Sequence, residues 1–202
     1  MLIRVRLILA SASPRRRELL ARAGYEFDVD PVGIDETPHP GEPATRYVER
    51  LAREKALAGA ARHPGRIVIG ADTTVVIDGE ILGKPADAGE AASMIRRLSG
   101  RSHEVLTGVA IASGNEVRSL VATTTVWMDR WPEAELAAYV AGSEPFDKAG
   151  AYAIQGVAGR FIPRIEGDED TVVGLPVGML ADLLRTLPVR LREGDAAPYS
   201  DG

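Results

Sequence analysis

The chain has no cysteine, and only three of its 202 residues are histidine. Without cysteine there is no disulfide framework, no thiolate nucleophile and no zinc knuckle. A metal would have to be held by oxygen ligands or by His39, His63 or His103. His39 lies between prolines and His63 precedes one, so both read as loop residues. Lysine is scarce as well: of 24 basic residues only Lys55, Lys84 and Lys148 are lysines. Where arginine supplies the general charge, lysine suits places that want a compact, flexible point charge. No apolar run reaches the roughly 18 residues of a membrane span, and the first residues carry Arg4 and Arg6, which predicts a cytoplasmic protein without a membrane partner. A net charge of −5 and a pI of about 5.3 argue against a general nucleic-acid binder.

Common catalytic signatures are also missing. Gly79 to Lys84 is one residue too short for a Walker loop, and Pro85 stands where a Ser or Thr would hold magnesium. There is no G-x-S-x-G elbow, and His103-Glu104 lacks the second histidine of a zinc-protease helix.

What the chain does have begins at residues 7 to 20. An apolar strand, Leu7-Ile8-Leu9, runs through small hydroxyl residues into a helix whose first turn carries Arg15, Arg16 and Arg17. A helix N-terminus offers unpaired N–H groups and the positive end of the peptide dipole, so this junction is an anion site. Ser13 fits the N-cap and Pro14 the first helical position. At about 100° per residue the three arginines fan over roughly 200°. Arg16, three and four residues before Leu19 and Leu20, lies at the inward end of the apolar stripe; Arg15 flanks it and Arg17 faces solvent. An inward guanidinium needs an anionic partner.

Further along, alternation at Tyr25, Phe27 and Val29 predicts a short strand, and Pro31 to Pro43 a loop carrying Asp35 and Glu36. Thr45 caps a predicted helix to about Ala61, on which Val48, Leu51, Ala52 and Lys55 share the inward stripe. The run Ile67 to Ala71 reads as a central strand that ends by delivering Asp72 to a cleft, with a hairpin turning at Asp78-Gly79 behind it. Asp87 with Glu90 resembles a capping box for a helix that stops at Ser99-Gly100. His103 to Ala112 and Glu116 to Met128 predict an antiparallel pair, and Pro132 opens a helix that stops at Gly142. Glu144 to Gly156 is too rich in small residues for a packed element and reads as a ligand-binding loop. A strand over Arg160 to Ile165, an acidic turn at Asp168 to Asp170, and a last strand and helix around Val172 to Pro176 complete the pattern. The predicted organisation is one α/β domain over 1–190, with room for two lobes, built on a mixed, partly antiparallel sheet flanked by helices, and a flexible tail over 191–202.

The chemistry-bearing residues are cations, Arg15, Arg16, Lys55, Lys84 and more weakly Lys148, against the carboxylates Asp35, Glu36 and Asp72. That combination suits phosphoryl chemistry: several positive charges hold a polyphosphate, and carboxylates hold a divalent ion or deprotonate an attacking water.

In this order along the chain, Ala10 to Arg16, Arg50 to Ala56, Gly70-Ala71-Asp72-Thr73, Gly83-Lys84-Pro85, Asp147 to Tyr152 with Ile154-Gln155-Gly156, and Val172 to Pro176 make the sequence similar to the Maf-type nucleoside triphosphate pyrophosphatases, from Leu7 to about Leu187. The resemblance implies an inosine-triphosphatase-like fold with a central cleft. It also implies metal-dependent hydrolysis of a nucleoside triphosphate to monophosphate and pyrophosphate, with water attacking the α-phosphorus, as a house-cleaning activity, and a homodimer. It implies Asp72 as proton acceptor, and Arg15, Thr73 and Gln155 in base selection, which looks like the branch acting on dTTP and UTP. Ser11, Arg15, Arg16, Lys55 and Lys84 are then expected to bind the substrate, and Glu36 with Asp72 to hold Mg²⁺ or Mn²⁺. The alternatives are a 7-methyl-GTP-preferring enzyme of the same family or a nucleotide-sensing regulator of cell division without turnover. The chain departs from this branch at Asp168-Glu169-Asp170-Thr171, where a Ser-Tyr type turn is common.

Overall fold

A computed structural model describes residues 6–186, so the tail expected at 191–202 lies outside the described residues. β1 (Leu7–Leu9) pairs in parallel with β2 (Phe27–Val29) and β3 (Val68–Ile77). β3, β5 (Ser102–Ser113), β6 (Glu116–Trp127) and β7 (Arg164–Glu166) continue as antiparallel neighbours, and β4 (Glu80–Leu82) folds back on β3. The result is one seven-stranded mixed sheet in the order β2-β1-β3-β5-β6-β7, with β4 beside β3.

Period-two alternation sorts the strands onto two faces. Ile8, Ala10, Val68, Ala110 and Ala112 pack on α2 (Ala44–Arg62). Leu7, Leu9, Ile69, Ala71, Val109 and Ile111 pack on α1 (Pro14–Arg22), α5 (Glu169–Val173) and α6 (Val177–Thr186). Beyond them the far ends of β3 and β5 enter another core, formed with α3 (Ala88–Leu98), α4 (Glu133–Val140) and the aromatic residues Trp131, Tyr139, Tyr152 and Phe161. No helix among the described residues is long and apolar enough to cross a membrane.

The cleft follows from strand lengths. β5 accompanies β3 from Val68 to Val76, whereas on the opposite edge β1 leaves at Ile69 and β4 joins only at Val75. Residues 70–74 therefore lack a strand on that side, and the chain of β1 turns there into α1. Asp72 sits in this gap, in the middle of β3. This corrects the expectation of a strand ending at Ala71: long-range pairing, Asp72 opposite Gly108 and Thr73 opposite Thr107, keeps Asp-Thr-Thr extended.

Two glycines bring α2 onto this part of the sheet. A Cβ on Gly70 would lie 2.2 Å from the Ala52 carbonyl oxygen, and one on Gly108 2.2 Å from that of Val48. Only bare backbone allows the helix so close. Its start also differs from expectation, because Pro43, not Thr45, is the N-cap, and it offers no side-chain cap. The fixed φ of proline, −62° here, aims the chain so that Ala44 is already helical.

Three later segments depart from the sequence pattern. Residues 144–156 do pack: they wind into 3₁₀ turns at Glu144–Asp147 and Ala149–Ala151, and a Cβ on Gly150 would meet Val75 at 2.8 Å, so the small residues permit close contact. Val157–Phe161 is another 3₁₀ turn, which leaves only Arg164–Glu166 as strand. Asp168 to Asp170 cap and open α5, so Val172-Val173 is helical; the Asp168 carboxylate accepts from the Asp170 amide.

Candidate active site

The gap in β3 opens into a cleft of about 600 Å³ that draws its walls from the β1–α1 junction, the 31–36 loop, α2, β3, the turn after β4 and residues 147–155. Ser11, Arg15, Arg16, Glu36, Lys55, Asp72, Thr73, Lys84 and Gln155 all line it, as does Lys148. Asp35 and Arg17 do not. Asp35 folds onto its own loop, accepting from the Thr37 amide at 2.9 Å, and Arg17 is exposed.

The α2 face of the gap is ionic. Lys55 Nζ lies 2.7 Å from Asp72 Oδ1 and 2.6 Å from Glu36 Oε1. Lys55 and Asp72 are each 8% exposed, so this ion pair is taken out of water, while the Glu36 side chain is half open to it. Burial alone would raise the Glu36 pKa. The Lys55 hydrogen bond, reinforced by the charges of Lys55, Lys84 and Arg16, holds it below the usual value. Tyr47, one turn before Leu51 and two before Lys55, donates its hydroxyl to the Glu36 carbonyl at 3.0 Å. Burial and the carboxylates of Asp72 and Glu36 push its pKa up to about 12, so it stays a donor. Sequence reasoning missed Tyr47, although its spacing by fours from Leu51 and Lys55 offered a signal for it.

The opposite face of the gap is a neutral network around Arg16. Nε donates to Gly174 O at 2.8 Å, Nη1 to Ala71 O at 2.9 Å and Ser11 Oγ at 3.1 Å, and Nη2 to Thr73 Oγ1 at 3.1 Å. The inward direction read from helical spacing holds, but the expected anionic partner is replaced by carbonyls and hydroxyls. Burial lowers the Arg16 pKa, Asp72 opposing it in part, and an arginine still remains charged. Ser13 caps α1 by accepting from the Arg16 amide, with Pro14 at the first helical position.

At the rim, Arg15 Nη1 reaches Asp147 Oδ2 at 3.3 Å across the cleft, and Lys148 also contacts Asp147 and donates to the Glu144 carbonyl. Burial would raise the Asp147 pKa, but Lys148 and Arg15 hold it low. Lys84 and Gln155 are exposed at the opening. Asp147 carried no signal beyond its place in a patterned loop. Nor did the buried pair of His103 Nε2 and the Tyr152 hydroxyl, 2.6 Å apart, since a strand histidine is commonly a core residue.

No three His, Asp or Glu side chains cluster as a metal site among the described residues. Two carboxylates sharing one ammonium nonetheless fit Mg²⁺ or Mn²⁺, which commonly take one or two carboxylates and complete their shell with phosphate oxygens and water. Glu36 and Asp72 would be those ligands, and Lys55 competes for the same oxygens.

A family profile described as "Maf-like protein" matches residues 6–187. The chain is 54% identical over 178 residues to a dTTP/UTP pyrophosphatase of Myxococcus xanthus, covering 88% of this chain and 90% of that one. It is 50% identical over 173 residues to the dTTP/UTP pyrophosphatase of Vibrio cholerae (85% and 92%) and 46% over 198 residues to that of Aromatoleum aromaticum (91% and 96%). Among solved structures, a HAM1 protein from Coxiella burnetii superposes with a TM-score of 0.55 at 13% identity, over 91% of this chain and 100% of that one. The Staphylococcus aureus Ham1 protein gives 0.51 at 14% (89% and 98%). These two likenesses concern the fold.

Proposed function

The chain belongs to the Maf-like protein family, and from that premise we propose that it is a hydrolase of acid anhydrides, a pyrophosphatase that converts dTTP and UTP to the monophosphate and pyrophosphate. The observation that carries this reading is Asp72: a buried carboxylate in a strand gap, in a cleft whose other charged lining residues are the five cations Arg15, Arg16, Lys55, Lys84 and Lys148 against the carboxylates Glu36 and Asp147.

In the proposed reaction water attacks the α-phosphorus. A new P–O bond forms, the bridging α–β P–O bond breaks, and pyrophosphate departs with the electron pair. Asp72 takes the water's proton. Its Oδ1 accepts from Lys55, and its other oxygen carries no hydrogen bond among the described residues, so a proton acceptor is available beside the substrate. Arg15 and Lys84 meet the phosphate charge from the rim, Lys84 as an exposed point charge. Held by Glu36 and Asp72, a divalent ion would neutralise phosphate charge and lower the pKa of a bound water. Gln155, whose amide both donates and accepts, has the groups needed to read the O and N–H pattern of a pyrimidine edge, and the Thr73 hydroxyl, whose hydrogen is directed to Thr107, has only an acceptor site left to offer.

The test is a panel of ordinary and modified nucleoside triphosphates with Mg²⁺ or Mn²⁺ and separation of the products. Monophosphate and pyrophosphate, formed fastest from dTTP and UTP, are expected. Release of γ-phosphate would overturn the assignment, and tight binding without products would favour the nucleotide sensor. Asp72→Asn should lose about 10²-fold or more in kcat with the fold retained.

A further inference from the structure

Arg16 is the cation that the sequence pattern offered most strongly as a phosphate grip, and its partners point elsewhere. Four of its five N–H donors are committed to protein acceptors, two carbonyls and two hydroxyls, drawn from the β1–α1 turn, β3 and the end of α5. We infer that Arg16 is a positioning residue: its guanidinium closes the unpaired edge of β3 and fixes Asp72 in place, while phosphate is left to other cations.

The sheet pattern explains the geometry. The Ile69 carbonyl accepts from the Ala10 amide at 2.9 Å, the last bond that β1 supplies. Two residues on, the Ala71 carbonyl points to the same edge, where a longer β1 would have met it. Arg16 Nη1 meets it instead. Nη2 holds the next residue on that face, Thr73, whose own hydrogen is also directed: Thr107 Oγ1 donates to Thr171 O at 2.7 Å, so the proton shared between Thr73 and Thr107 over 2.9 Å belongs to Thr73. The residues on both sides of Asp72 are thus tied to one rigid fork. Gly174 completes the seat. It lies at φ +121°, and a Cβ there would stand 3.2 Å from Thr73 Oγ1 and 3.5 Å from Arg16 Nε. A lysine could bring the charge but not a planar set of donors in these directions.

The experiment compares Arg16→Lys, which keeps charge and stem, with Arg16→Gln. Its kinetic arm rests on the pyrophosphatase reading; its exchange arm needs no turnover. Both variants are expected to lose about 10²-fold in kcat with KM within about threefold, because displacing a catalytic group by about 1 Å is enough for such a loss. In the substrate-free protein, amides of residues 70–74 should exchange with deuterium about tenfold faster in Arg16→Lys than in the parent. Near-parental kcat in Arg16→Lys with a much higher KM in Arg16→Gln would restore the phosphate grip and overturn the inference. Unchanged kinetics with only a lower Tm, or unchanged exchange at 70–74, would overturn it too. If neither variant folds, Ser11→Ala removes one Nη1 acceptor without touching a charge, and its exchange at 70–74 decides the question. A parent protein that releases no pyrophosphate defeats the functional reading alone.

Discussion

Asp72 and Thr73 are consecutive residues on opposite faces of one strand, and each meets a cation from a helix packed on its side. Lys55, on α2, is paired with carboxylates; Arg16, on α1, is paired with carbonyls and hydroxyls. A charge balanced by charges can be redistributed when a phosphate, a metal or a proton arrives, since each newcomer competes for the same ions. A charge held by fixed dipoles gains little from leaving them, because a carbonyl buried without its donor costs about 1–3 kcal/mol. In the proposed reaction the two faces of the gap would divide the work: the Lys55 face would change state, and the Arg16 face would keep the strand from moving.

Lys55→Met breaks the contrast on its ionic side and should have the largest effect. The unbranched stem still fills its place, but Asp72 and Glu36 lose their shared cation. Turnover should fall by about 10²-fold or more. Glu36 should then titrate higher, since its largest stabilising contact is gone and burial, which acts to raise it, remains. The acidic limb of the rate profile that depends on ionised Glu36 should move to higher pH. A profile unmoved on that side would show that Lys55 does not govern the carboxylates.

Much of this division could be read from local signals. Ser13, Pro14 and the leucine stripe aimed Arg16 inward, and the i, i+3, i+4, i+7 pattern of α2 aimed Lys55 inward. The identity of their partners could not be read in that way. Asp72 is 17 residues from Lys55, while Ala71 and Gly174 are 55 and 158 residues from Arg16, and no local period links them. The same reason explains why β3 looked shorter: Asp72 ends the apolar run that marked the strand, and the segment stays extended because β5 pairs with it throughout. At Val172-Val173 the error ran the other way. Two β-branched residues suggested strand, and the capping carboxylate of Asp168 made them helix.

A smaller effect concerns a third buried ionisable group, one that has no counter-charge. His103 is 3% exposed on β5, touches only the Tyr152 hydroxyl through Nε2, and has a buried Nδ1 without a partner. Burial drops its pKa from 6.5 to about 4, so the folded protein keeps it neutral. The unfolded chain binds a proton there at higher pH than the folded one, so this contribution to stability is full above about 6.5 and is lost as pH falls toward 4. It amounts to roughly 3 kcal/mol over that window. Thermal unfolding of His103→Gln followed across pH 7 to 4 should show a flatter decline than the parent. Parallel curves would mean that His103 takes up its proton over the same pH range in the fold as in the unfolded chain, so that burial does not depress its pKa.

The smallest expected effect is at Arg17, which follows Arg16 by one residue and about 100° of helix turn. That rotation takes its side chain out of the gap to the exposed surface of α1, and it does not line the cleft. Surface substitutions away from specific contacts commonly change stability by no more than about 0.5 kcal/mol. Arg17→Ala should therefore leave kcat, KM and Tm close to parental, while Arg16→Lys, a milder chemical change one position earlier, costs about 10²-fold in kcat. Titrating salt separates the remaining possibility, long-range attraction of the substrate by the arginine turn. If Arg17→Ala lowers kcat/KM at low ionic strength and the loss disappears as salt is added, Arg17 steers the triphosphate; if the two proteins agree at every salt concentration, the turn acts through its inward residue alone.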